Sequence, residues 1–172
     1  MILDNYWQMK YASSQYHYST SAIMIPVSIK SYTGASITRV QTGGGGYVNN
    51  WQNALLMYSL RYNLRAKIGD GNTAPTSSDY TLDSDITSIA GGYLSVTSNT
   101  GVDNGLVTNI IISGINTSST EQVIREIGIY INTAFEPSAT TYDILIVREL
   151  LNQPLVVPAG KGFTITFQWT EA

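Results

Sequence analysis

Apolar and polar side chains alternate strictly through the last third of the chain, residues 121–170. The clearest case is residues 162–170, where four apolar side chains occupy one face and four polar ones the other: Phe163, Ile165, Phe167 and Trp169 against Thr164, Thr166, Gln168 and Thr170. Period-two alternation is typical of a strand with one face on a core and the other toward water or a partner. Similar runs at 127–131 and 143–151 predict an antiparallel sheet that needs a second layer over its apolar face.

Shorter alternating runs separated by turn sequences predict more strands upstream. They cover residues 21–32, 37–40, 91–98 and 106–115. Pro26 places the first of these at a sheet edge, because proline cannot donate to the ladder. The turn at 158–162 predicts a hairpin between 155–157 and 163–169. With seven or eight strands and one helix, the predicted fold is mainly β, an antiparallel β-sandwich of jelly-roll type.

The single helix is predicted over residues 48–64, inside a β-sandwich domain that spans 23–172. Asn49 or Asn50 can cap this helix, and large apolar side chains recur at helical spacing: Trp51, Leu55, Tyr58 and Tyr62. Its apolar face is wide enough to pack against the sandwich or between subunits.

Residues 1–22 are rich in tyrosine and are predicted to form an extended N-terminal arm. Its aromatic side chains are the predicted interface residues: Tyr6, Trp7, Tyr11, Tyr16 and Tyr18. Tyr and Trp supply much contact area at low entropic cost, so these rings would lie on the sandwich of their own chain or dock on a neighbouring subunit. A platform for stacking sugars is a third possibility.

Composition narrows the functional classes. Only 12% of the 172 residues are charged, about half of the usual share of about 25%, and a nearly uncharged surface favours association with other chains. The net charge of −3 and the scattered Lys and Arg residues argue against nucleic-acid binding. There is no cysteine, no signal-peptide pattern and no apolar run of about 20 residues, so we expect neither disulfides nor a membrane span.

Candidate catalytic and metal-ligating groups are sparse. His17 is the one histidine, and it lies in the arm, where a Ser-His-Asp arrangement is not expected. Asp79, Asp83 and Asp85 form a weak calcium candidate, since calcium takes several oxygens from a flexible loop, although the EF-hand spacing is missing. We predict no enzyme activity and no cofactor.

Four carboxylates could in principle supply a glycosidase pair: Glu126, Glu136, Asp143 and Glu149. For Glu126 and Glu149, which neighbour Arg125 and Arg148, cross-strand ion pairs on the polar face are the favoured interpretation.

Five separated segments together resemble those of one protein family. Residues 68–82, Ile-Gly-Asp-Gly-Asn-Thr-Ala-Pro-Thr-Ser-Ser-Asp-Tyr-Thr-Leu, resemble the GxGxTAPTxxDxxL segment of small virion proteins of tailed bacteriophages. As in those proteins, an Asn-rich helix (49–55) precedes the segment. A strand like 125–130, an Arg-bearing strand like 145–148 and a closing strand like 163–169 follow it. The similarity covers residues 49–169, and Asp70 stands where such chains often carry Thr or another small residue.

The resemblance implies a structural protein of the phage head surface, neck, tail or fibre, built on a β-sandwich and usually oligomeric. Its partners would be other virion proteins and copies of itself, and it would assemble into the virion in the host cytoplasm. The first 45 residues lie outside the similarity, as an attachment arm specific to one virion would. The competing hypothesis is a glycan-binding adhesin module that recognises the host surface through exposed Tyr and Trp, with or without calcium at Asp79–Asp85.

Overall fold

The computed structural model describes residues 1–14, 23–42, 64–87, 89–99, 106–134 and 141–171. It contains one helix and eight strands in these ranges: α1 Asp4–Ser14, β1 Ile23–Lys30, β2 Ser36–Thr42, β3 Leu64–Gly69, β4 Ile89–Asn99, β5 Leu106–Asn116, β6 Gln122–Ala134, β7 Thr141–Val157 and β8 Gly162–Glu171. Within the described ranges no helix is both long and apolar enough to cross a membrane.

The strands form three antiparallel sheets. β1 pairs with β2, β6 lies between β3 and β7, and β5 lies between β4 and β8. This confirms the predicted mainly-β, antiparallel character. The sheets are small and do not close on themselves, so the sandwich of jelly-roll type stays a prediction.

The main apolar cluster of the core takes side chains from all three sheets, and a smaller one consists of Leu3, Tyr130 and Leu145. On β6 the predicted alternation buries Ile127, Ile129 and Ile131. β5 contributes Ile110 and Ile112, and the other strands add further aliphatic side chains: Ile25, Val27, Ile29, Ile37, Ile68, Ile144 and Ile146. Burial of such side chains, each worth about 1.5–3 kcal/mol, is the main stabilising term of the fold.

The predicted hairpin between the end of β7 and β8 is wrong. β7 pairs with β6, whereas β8 pairs with β5 in another sheet, so the turn at 158–161 carries the chain from one sheet to another. Asn116, fully buried at the end of β5, holds this turn: its backbone N–H donates to Lys161 O at 2.9 Å and its side chain donates to Val157 O at 2.9 Å. A local turn pattern does not reveal which sheet the outgoing strand will join.

The extended arm is also corrected, because residues 4–14 form α1. Leu3 and Met9 are fully buried, and Ile2 pairs with Val147 at the edge of β7. The helix is held by a polar side chain: Asn5 donates to Leu145 O at 3.1 Å and exchanges two hydrogen bonds of 3.0 Å with the backbone of Lys30. Residues 15–22 lie outside the described part of the chain.

The predicted helix over 48–64 lies outside the described residues, apart from Leu64. The structure places Leu64 at the start of β3, a strand that the sequence pattern did not predict.

Candidate functional site

One face of the β3-β6-β7 sheet carries polar side chains beneath a long connection. Opposite the buried isoleucines, β6 presents Glu126, Gly128 and Tyr130. Residues 70–86, which we call the covering loop, lie over this face. Their start and end are hydrogen-bonded to each other and to β3, through Asp70 N–H to Ser84 O at 3.0 Å and Ile86 N–H to Ile68 O at 2.9 Å.

Arg148 of β7 joins the covering loop to the sheet. Its side chain is only 4% exposed. Nε donates to Glu126 Oε2 at 2.8 Å, Nη1 to Asp79 Oδ2 at 2.6 Å and Nη2 to the carbonyl oxygen of Thr73 at 3.1 Å. One guanidinium therefore binds the neighbouring strand and two points of the loop, a geometry that suits its planar set of donors.

Glu126 is fully buried and has more partners than Arg148 alone. Its carboxylate also accepts hydrogen bonds from the backbone N–H groups of Asp83, at 3.2 Å, and Ser84, at 2.9 Å. A buried carboxylate is tolerated only when it is paired and hydrogen-bonded. The loop's own backbone thus supplies part of the environment that stabilises Glu126.

The remaining acids of the loop are bound locally. Asp79 accepts from the hydroxyl of Thr76 at 2.6 Å and its N–H at 3.0 Å, and Asp83 accepts from the hydroxyl of Thr73 at 2.8 Å. Burial alone would raise the pKa of Asp79, but the hydrogen bonds from Thr76 and Arg148 outweigh it and lower that pKa. The hydrogen bonds from Thr73 likewise lower the pKa of Asp83.

The pKa of Arg148 is raised. Burial opposes its charged form, but the hydrogen bonds and charges of Asp79 and Glu126 more than compensate. The guanidinium therefore remains a fixed positive charge at the centre of the site.

Two glycines bring the loop close to this network. A Cβ at position 69 or 71 would lie 2.5 Å from Glu126 Oε1, well inside van der Waals contact. Only glycine lets the backbone pass so near the buried carboxylate. Gly69, Gly71, Thr73, Thr76, Asp79 and Leu82, the residues that define the GxGxTAPTxxDxxL pattern apart from Ala74 and Pro75, thus all lie at or close to the loop's contacts with the sheet.

A second polar group lies beside the first on the same face. Lys67 Nζ is 3.3 Å from Asp85 Oδ2 and 3.4 Å from the ring centre of Tyr32, whose hydroxyl also donates to Asp85. Tyr130 packs edge-on against Tyr32, with 5.4 Å between ring centres. Its buried hydroxyl has no hydrogen-bond partner among the described residues, and burial, with the nearby Tyr32 and Asp85, raises the pKa of this phenol.

These contacts correct the calcium interpretation of Asp79, Asp83 and Asp85. The three carboxylates are bound to different partners. Asp79 is bound by Arg148 and Thr76, Asp83 by Thr73, and Asp85 by Lys67 and Tyr32. Across the ranges that the structure describes, no group of three or more acidic or histidine side chains is arranged to hold a metal ion.

The other carboxylates are also separated. The predicted cross-strand ion pair exists between Glu126 and Arg148, but it is buried under the loop rather than on an open polar face. Glu149 pairs with the amino group of Met1, and Asp143 accepts from Asn132 Nδ2 at 2.6 Å. Glu136 lies outside the described residues.

The predicted interface residues divide into two sets. Tyr6 is 2% exposed and belongs to the core of its own chain, so its ring is not available to a neighbouring subunit. Trp7 and Tyr11 are 52% and 51% exposed and stand four residues apart on α1, hence on one face of the helix. Tyr16 and Tyr18, like His17, lie outside the described residues.

No protein-family model matches this chain, and neither curated proteins nor solved structures yield a match. The site therefore rests on its geometry. Sequence reasoning identified the segments that meet at Arg148 but not the roles of Thr73, Asp79 and the two glycines. The signal in the sequence was the GxGxTAPTxxDxxL pattern itself, followed farther along the chain by an acidic strand residue, Glu126, and a basic one, Arg148.

Proposed function

We propose that this chain is a structural subunit of a tailed-bacteriophage virion, whose role is assembly rather than catalysis. The observation that carries the proposal is the meeting of three separated segments at Arg148. The covering loop, the strand with Glu126 and the strand with Arg148 are the segments that resemble small phage virion proteins, and here they are in direct contact.

The contacts at Arg148 suit a structural role. Its three donor groups are all bound to atoms of the same chain, and Glu126 is held by three hydrogen-bond donors that belong to β7 or the loop. Groups so fully bonded leave little capacity for a substrate. A firmly held loop on a β scaffold suits a subunit that must present the same surface in every copy of an assembly.

The face of α1 with Trp7 and Tyr11 supports self-association. Two large aromatic side chains, each about half exposed, stand side by side on the helix, and aromatic residues are enriched at protein interfaces. The chain's net charge of only −3 offers little repulsion to a second copy. We therefore propose a homo-oligomer that uses this face and joins other virion proteins in the host cytoplasm.

We also propose that the β3-β6-β7 and β4-β5-β8 sheets are the two layers of the sandwich. Side chains of both belong to one buried cluster, with Ile68 and Ile129 from the first sheet and Ile112 and Phe163 from the second. Two sheets that share an apolar core are the usual arrangement of a β-sandwich.

Light scattering of the purified chain on a sizing column tests the assembly role. We expect a stable oligomer of defined mass, and we expect the double substitution Trp7→Ala/Tyr11→Ala to shift it toward the monomer. Truncation would be a poorer test, because residues 1–14 also carry the fully buried Leu3 and Met9.

The matched control is Thr164→Ala/Thr166→Ala, at exposed positions on β8, which should keep the wild-type mass. A wild-type chain that is monomeric at all concentrations, or an α1 double variant with unchanged mass, would count against the proposal.

A further inference from the structure

A cleft of about 370 Å³ lies between α1, the β1–β2 hairpin and the covering loop. Five hydroxyl side chains contribute to its lining: Ser28, Ser36 and Thr38 from the hairpin and Ser77 and Ser78 from the loop. Its volume is at the low end of the range of about 300–1,000 Å³ found for small-molecule sites. The cleft is separate from the aromatic face of α1, since neither Trp7 nor Tyr11 lines it.

We propose that this cleft binds a neutral, polyhydroxylated ligand, that is, a small sugar or the end of a neutral glycan. Among the described residues, the hydroxyls of Ser28, Ser36 and Thr38 make no hydrogen bond within the chain. Hydroxyls both donate and accept, so they can pair with the hydroxyls of a sugar in either direction.

The charges around the cleft do not favour an anionic ligand. Asp4 and Asp79 line it and outnumber the one cation, Lys30. The ammonium of Lys30 lies 4.2 Å from the ring centre of Tyr80, which already stabilises its charge. Asp79 is already paired with Arg148, so the charges at the cleft balance and a phosphate or carboxylate would find no free cation among the described lining residues to pair with, whereas a neutral ligand needs none.

The walls of the cleft are fixed by contacts between the elements that form it. The N–H of Asp4 donates to Ser77 O at 2.8 Å, and its carboxylate accepts from Ser77 Oγ at 3.2 Å, which joins α1 to the loop. Asn5 joins α1 to Lys30, and Arg148 holds Asp79. A ligand would find its polar partners already in place, which reduces the entropic cost of binding.

The test is a glycan array that carries neutral, sialylated and phosphorylated oligosaccharides, followed by titration of the best neutral glycan. Thr38→Trp would fill the cleft from an exposed strand position, and we expect it to weaken binding at least tenfold. Thr38→Val removes the hydroxyl without adding bulk and should weaken binding several-fold. Thr164→Trp on β8 is the matched control and should bind as the wild type does.

The proposal is overturned if no neutral glycan binds, if only anionic glycans bind, or if the folded Thr38 variants bind normally. Circular dichroism and thermal melting establish whether each variant is folded, and Thr38→Val remains informative if Thr38→Trp is not. This inference does not rest on the subunit role. A monomer that binds neutral glycans through this cleft would overturn the assembly proposal and support this one.

Discussion

Arg148 shows how one side chain can organise distant parts of a sequence. It contacts Glu126, 22 residues away in sequence, Asp79, 69 away, and Thr73, 75 away. A buried ion pair adds little net stability over an apolar pair of the same shape, but loss of one partner leaves an uncompensated buried charge. The network therefore matters most for fixing where the covering loop lies on the sheet.

Replacement of Arg148 by methionine should destabilise the chain by about 3–5 kcal/mol, because Glu126 would stay buried without its cation. The free energy of unfolding, from urea denaturation at fixed protein concentration, measures the effect. Arg65→Met is the control. Arg65 is exposed and its Nη1 lies as far as 3.9 Å from Asp143 Oδ1, so we expect the free energy of unfolding to change by about 0.5 kcal/mol or less.

The double variant Glu126→Leu/Arg148→Met separates charge from shape. It should recover part of the lost stability, since no unpaired charge remains. An Arg148→Met protein as stable as the wild type would show that the network does not hold the loop.

The network also predicts how stability depends on pH. The pKa of Asp79 is lowered in the folded chain, whereas an unfolded Asp titrates near about 3.9. The folded state thus binds this proton only at lower pH. The stabilisation that the ionised Asp79 carboxylate provides is therefore complete above the unfolded pKa and is lost as the pH falls through the folded pKa. We expect the free energy of unfolding to fall below about pH 4.

Asp79→Asn should be less stable than the wild type at pH 7 and should lose less stability on acidification. Urea denaturation at pH 7 and near pH 3 measures both effects. Glu121→Gln, at an exposed carboxylate outside the network, should keep the wild-type dependence. Equal acid sensitivity of the Asp79→Asn and wild-type proteins would contradict the assignment.

At the scale of elements, α1 and the β1–β2 hairpin are attached to the larger sheet largely by Asn5. Its side-chain oxygen accepts from the N–H of Lys30, and its side-chain nitrogen donates to the carbonyl oxygens of Lys30 and Leu145. One polar side chain thus bridges the helix, the hairpin and β7.

Asn5→Ala should cost about 1–3 kcal/mol, because it leaves buried backbone groups without partners. We also expect faster hydrogen exchange at the backbone amide of Lys30, because this amide donates to Asn5 in the wild-type protein. Gln8→Ala is the control on the same helix, since Gln8 accepts one exposed hydrogen bond of 3.2 Å from Ser28. Unchanged exchange at Lys30 would contradict this role of Asn5.

The sequence predicted elements whose burial is encoded in a local alternation. β1, β5, β6 and β8 follow that pattern, and their existence was predicted correctly. α1 was missed because its buried face includes Asn5 and because Trp7 and Tyr11 lie on its exposed face, so apolar side chains do not mark one side of the helix. β3 was missed because it is only six residues long and ends at a glycine.

The candidate site was predictable in parts. Alternation along β6 places Glu126 on the face away from the core, and a pairing with an arginine of the next strand was expected. Its burial could not be predicted, because it depends on a loop about 40 residues upstream that folds over the same face. The partners of Asp79, Asp83 and Asp85 were hidden for the same reason, so a loop of separately bound acids resembled a calcium site.

At the scale of the whole molecule, a β scaffold carries a firmly held loop, an aromatic helix face that we propose meets a second copy, and a separate polar cleft. The low content of charged residues, unusual for an independent domain, fits a chain whose surface is largely covered by neighbours.

The most direct test of the assembly claim is photo-crosslinking from position 7. With a benzophenone amino acid in place of Trp7, irradiation of the purified chain should give a covalent dimer, and mass spectrometry should locate the joined residue on the second copy. The same group in place of Thr164 should give far less dimer. Crosslinks confined to a single chain at position 7, at concentrations where the protein is fully folded, would contradict the claim that this face of α1 meets another copy.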